Sequence, residues 1–188
     1  MHYQEFILRT KMRELWVDTA YSTHSLIISK INKTEDYIDV LERLMINQEG
    51  ISATLKPYYD KKVVTELVEL LKKNIDKTQD VIINTIDENT ELLSESKIDW
   101  YKSVNNIASF MYDMNPRLHD KIMKNMLLDL LDSIEKMINA RKNEDFNYEY
   151  MMLDNTIQYA MMIADAISEA MIAEFPDKFS SNRLDVLI

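Results

Sequence analysis

Residues 149–175 read EYMMLDNTIQYAMMIADAISEAMIAEF. Met, Ile, Leu and Ala recur at spacings of three and four without a break, which predicts one long helix with a broad apolar face. This is the longest apolar segment of the chain, and it reads as the spine against which the other helices pack. Two acids, Asp154 and Asp165, stand inside it, eleven residues apart. Eleven residues are close to three helical turns, so both carboxylates fall on nearly one face. Burying a lone carboxylate costs several kcal/mol unless it is paired or protonated. The candidate partners are His24, the hydroxyls of Thr19, Ser22 and Thr23, Arg9, Arg13 and Asn74. Three readings follow: an inter-helix hydrogen bond or ion pair that fixes register, a contact to a metal ion or small ligand, or simple exposure at the edge of the apolar stripe. The methionines at 151, 152, 161, 162 and 171 read as core at helical spacing, and an exposed set would instead suit a groove for a partner helix.

The composition agrees with a helical protein. One glycine and three prolines in 188 residues are too few for the turns of a β-rich fold, and thirteen methionines favour helices with adaptable cores. An apolar content of 46% supports one compact domain over residues 1–188. The net charge of −10 argues against a sequence-independent grip on nucleic acid, which needs a basic surface. Without cysteine there is no disulfide, zinc–thiolate site, iron–sulfur cluster or thiol nucleophile. The N-terminal residues lack a signal-peptide pattern, and no window reaches the ~20 apolar residues of a membrane span. A cytoplasmic protein that binds neither nucleic acid nor membrane is the expectation.

Along the chain the pattern predicts helices over 4–31, 36–47, 61–87, 98–114, 116–140 and 144–175, with an apolar tail at 176–188. Gly50, just past the second segment, reads as a left-handed helix stop. Pro57, Tyr58 and Tyr59 suggest an ordered elbow, and the polar run 88–97 suggests a bend near Ser94–Ser96. Asn115-Pro116 reads as the cap and first position of the fifth helix, and Asn143 as the cap of the sixth. Thr19, Ser22 and Thr23 interrupt the apolar face of the first helix, as small hydroxyls do when they bond back to the preceding turn. Short connections make consecutive helices antiparallel neighbours. The fold class is therefore all-α: an up-and-down bundle of four long antiparallel helices with two shorter ones, broadly four-helix-bundle or ferritin-like in shape.

Missing motifs narrow the chemistry. One glycine rules out a phosphate-cradling glycine loop and a dinucleotide fingerprint. The Glu-x-x-His pairs of di-metal carboxylate bundles are absent, since Tyr21 precedes His24 and Pro116 precedes His119 by three residues. Asp18 and His24 are six residues apart, roughly 120° around a helix, so they do not face each other as a catalytic pair. The residues left as candidates for a polar centre are Asp18, His24, Asn74, Asp154 and Asp165.

Several short motifs occur in order: LW-x3-AYST-x2-LIIS from Leu15, RLMINQ from Arg43, LKPYYD from Leu55, WY-x5-IASFMYDMNP from Trp100, and MIADAISEAMIAEFPDKF from Met162. In these the chain resembles a family of small helical proteins of spore-forming Gram-positive bacteria, over roughly residues 8–179. No established activity comes with that family. The resemblance implies a histidine in each of the first, third and fifth long helices, where this chain has Thr19, Asn74 and Met126. It also implies acids where Asn105 and Asn106 stand, and an arginine in place of His24. Asp154 and Asp165 match the pattern, but without the imidazoles the set makes a poor transition-metal site. The expectation is a non-enzymatic bundle that acts by protein interaction or self-association, with no catalytic residues and no cofactor. The alternative is a buried metal or small-ligand site in the polar centre.

Overall fold

The structure is a computed structural model describing residues 2–180. It is all-α: α1 (Tyr3–Asn32), α2 (Tyr37–Leu55), α3 (Lys61–Ile86), α4 (Thr90–Met114), α5 (Asp120–Lys142), α6 (Phe146–Glu174) and the single turn α7 (Pro176–Phe179). The apolar tail expected at 176–188 is described as far as Ser180, where Phe179 is buried; its remaining residues, 181–188, lie outside the described part.

Side-chain contacts fix the direction of five of the six neighbouring pairs, and the short connection at 115–119 that of α4 and α5. Asp18 and Ser29 of α1 meet Arg43 and Asp36 on the α2 side, and Tyr37 and Glu49 of α2 meet Gln79 and Lys72 of α3. Asn74 and Thr78 meet Ser103 and Trp100, Ser133 meets Thr156, and Arg9 and Arg13 meet Glu169 and Asp165. Rising numbers on one helix match falling numbers on the next, so consecutive helices are antiparallel, and α6 returns antiparallel to α1. Beyond these pairs, α1, α3 and α5 touch one another, whereas α2, α4 and α6 each touch just two of those three. That is the contact pattern of six rods stacked as a triangle, with α1, α3 and α5 at the middles of the sides and α2, α4 and α6 at the corners. The spine expected at residues 149–175 is thus a corner helix, and the expected four long and two short helices are six of 19 to 30 residues.

Four helix boundaries differ from the sequence pattern for physical reasons. α2 does not stop at Gly50 but runs through it to Leu55. A Cβ at Gly50 would lie 2.6 Å from Cδ2 of Leu15, so the missing side chain serves the close approach of α1 rather than a left-handed turn. The left-handed residues are Lys33, Glu88 and Glu144, which sit in the turns after α1, α3 and α5, all at one end of the bundle. α4 begins at Thr90 with no bend at Ser94–Ser96, its first turn capped by Asn89, whose side chain accepts from Leu92 N at 3.1 Å. α6 is capped in the same way by Asp145, two residues after Asn143.

The opposite end is closed by Asn115. This fully buried side chain donates to Tyr59 Oη (3.0 Å) and to the carbonyl of Ala170 (3.2 Å), and accepts from Arg117 N (3.0 Å). It therefore joins the elbow, the α4–α5 turn and α6 instead of capping α5, which begins at Asp120. The elbow is ordered by its aromatics: Tyr58 stacks on Phe179 at 5.3 Å, and Tyr59 meets Phe175 edge-on at 5.1 Å.

Between α4 and α5, Tyr101 donates to Glu135 Oε2 at 3.2 Å, and Lys97 holds the other oxygen at 2.7 Å. Burial, then the neighbouring Glu135 charge, raises the Tyr101 phenol from 10.0 to about 12. The unfolded chain releases this proton first, so the stability contributed by the neutral phenol is present below pH 10.0 and lost as pH rises towards about 12. Urea titrations across that window should show a steeper alkaline loss for the native chain than for Tyr101→Phe; parallel curves would refute the assignment.

Candidate functional site

The buried line of α6 runs Glu149, Met152, Leu153, Thr156, Ala160, Ile163, Ile167 and Met171. Its first member is a carboxylate with no solvent exposure. Both oxygens are engaged: His24 Nε2 lies 2.7 Å from Oε1, and Arg141 Nη1 donates to Oε2 at 3.3 Å. A carboxylate accepts from two donors here, one from α1 and one from α5, so three helices meet at one charge. Tyr150 covers the His24 ring edge-on at 5.6 Å, and Phe146 lies 5.1 Å from the Arg141 guanidinium. This junction is the most deeply buried ionic group of the described residues. Its geometry ties helices together and leaves neither carboxylate oxygen free for a ligand.

The residues singled out in the sequence are spread over separate contacts. His24 belongs to the Glu149 junction. Asp165 forks onto Arg13, with Oδ1 2.6 Å from Nε and Oδ2 2.7 Å from Nη2. This is a partly exposed ion pair between α6 and α1 that sets their register, and it holds the Arg13 guanidinium above its ordinary range. Asp18 binds Arg43 of α2. Asn74 donates to Ser103 Oγ at 2.7 Å. Asp154 is exposed and has no hydrogen-bond partner among the described residues. The five do not share one centre. Among the described residues no three His, Asp or Glu side chains are grouped to hold a metal ion.

Thr19 and Thr23 behave as small hydroxyls in a packed helix should, each donating 2.8 Å back to the carbonyl four residues earlier. Glu149 is what the sequence pattern had to offer and Asp154 and Asp165 are not. At 100° per residue, Asp154 and Asp165 lie about 140° and 160° round the helix from Glu149, while Thr156, Ala160 and Ile167 stay within about 20° of it. The signal was a charge in phase with the apolar stripe.

Between α5 and α6 lies an apolar cleft of about 190 Å³, floored by Leu118, Met123, Met126 and Ala170 and rimmed by Arg117, His119 and Glu169. No described helix is long and apolar enough to cross a membrane. No family model, curated protein or solved structure matches the chain.

Proposed function

We propose that the chain works by protein interaction, itself included as a partner, through the outer face of α6 and the adjoining edge of α1. The observation that carries this reading is the exposure of large apolar groups on a corner helix: Tyr150 is 59% exposed, Met151 54% and Met162 51%. Tyr21 of α1, 50% exposed, extends the Tyr150 side of that face. Between the Arg13–Asp165 pair and the Glu149 junction, the antiparallel register sets Val17 and Tyr21 beside Met161 and Ile157, and these four are apolar. An apolar seam bounded by ionic contacts on both sides suits a docked helix, since methionine adapts to varied partners.

Sedimentation at rising protein concentration tests it, together with a photo-crosslinker placed at position 162 and, as control, at Ile98 on α4, which is more exposed still. Association abolished by Met151→Glu with Met162→Glu, and crosslinks from 162 but not from 98, are the expected results. A chain that stays monomeric at every concentration and crosslinks equally from both positions would end the proposal.

A further inference from the structure

Acidic residues outnumber basic ones by 32 to 22, yet one cleft between α3 and α4 is lined by three lysines. Lys73 and Lys77 stand one turn apart on α3; Lys102 reaches the same space from α4, with Ser103, Asn106 and Asp99 completing the wall. The cleft holds about 260 Å³ and is polar. Its two sides are held face to face by the pairs Asn74–Ser103 (2.7 Å) and Thr78–Trp100 (3.0 Å). Ser103 is 7% exposed and gives its proton to the carbonyl of Trp100 at 2.7 Å, so it forms a fixed wall and not a donor. The donors left for a ligand are the three ammonium groups and the Asn106 amide.

The lysines differ in how they are balanced. Lys77 bonds Asp80 at 2.9 Å and lies 3.9 Å from Asp99, which keeps it charged and in place. The hydrogen bond to Asp80 leads the causes that raise it above its ordinary range, with Asp99 and Asp76 adding to them. Lys73 and Lys102 have no ion-pair partner among the described residues, and they approach from opposite sides. Point charges converging from two directions suit a compact polyanion, whereas a planar carboxylate is better matched by an arginine fork, which this cleft lacks. We propose that the α3–α4 cleft binds a small phosphate-bearing anion between Lys73 and Lys102, with Lys77 and Asn106 as further donors.

Calorimetric titration of the whole chain with inorganic pyrophosphate, and separately with a sugar phosphate, tests this. Saturable binding is expected, weakened about tenfold or more by Lys73→Gln with Lys102→Gln. Both side chains are exposed, so the variant should keep the native circular dichroism. Lys121→Gln with Lys124→Gln changes the net charge equally on α5 and should leave the affinity unchanged. Tighter binding of the sugar phosphate would assign the site to an organic phosphate, and tighter pyrophosphate to a free one. Absence of saturable binding to either probe, or equal weakening by the two double variants, would overturn the proposal.

Discussion

Glu149→Ala is expected to lower the unfolding free energy by about 3–5 kcal/mol, the range for removing one partner of a buried ion pair. The loss comes less from the missing hydrogen bonds than from what stays behind. Arg141 and His24 have side chains 17% and 9% exposed, and without the carboxylate their donors face a cavity. Glu149→Gln retains the shape and one acceptor oxygen, so its loss should be smaller. Urea unfolding followed by circular dichroism reads both. A double-mutant cycle with Arg141→Met separates the pair from the cavity, since the two groups are in contact and their effects should not add. The exposed fork of Arg13 and Asp165 provides the contrast: Asp165→Asn should cost less than about 1 kcal/mol, because solvent screens that pair. Equal losses at positions 149 and 165 would show that burial does not govern these contacts.

Trp100→Ala should cost about 3–5 kcal/mol, as large-to-small changes at a filled core position do. Trp100 has no exposed surface and is among the bulkiest enclosed side chains, set where α4 meets α3. Its indole N–H donates to Thr78 Oγ1 at 3.0 Å, and that hydroxyl donates in turn to the carbonyl of Asn74 at 2.9 Å. Trp100→Phe removes the first bond but leaves the second, so no buried donor is orphaned and the loss should be clearly less than for alanine. Because the chain has two tryptophans, Trp16 reports unfolding by fluorescence in both variants. A phenylalanine variant as unstable as the alanine one would place the main contribution in the hydrogen bond rather than in packing.

The helices were legible because their apolar residues keep a helical period, and the short turns between them dictated antiparallel neighbours. Two misreadings share a cause. Local preference alone makes Gly50 a stop and the run at 88–97 a bend, and packing overrides both. In the bundle Gly50 answers to Leu15, 35 residues earlier in the chain, and a corner helix such as α4 needs a narrow buried stripe that polar neighbours do not disturb. The centre was misplaced for a related reason. α1, α3 and α5 carry buried Thr23, Thr78, Thr85 and Ser133, whose hydroxyls bond to their own backbone, so the most central helices look more polar in sequence than α6. The candidate site suffered likewise. Asp154 and Asp165 stand within the same apolar run, but phase and position along the helix decide which acid is enclosed: of these three only Glu149 is in phase, and Glu174, also in phase, is exposed at the helix end.

The triangle also makes the chain cyclic in all but its covalent bonds. Each helix from α1 to α6 is antiparallel to the next, α6 is antiparallel to α1, and α7 already rests on α1. Six antiparallel pairs in a ring, five of them hairpins, have no natural first member. Opening the turn around Glu88 and linking α7 to the start of α1 would give the order α4, α5, α6, α7, α1, α2, α3 with all helix neighbours retained. The linear order then governs the sequence in which hairpins form during synthesis, while the finished stack keeps the same neighbours whichever helix comes first.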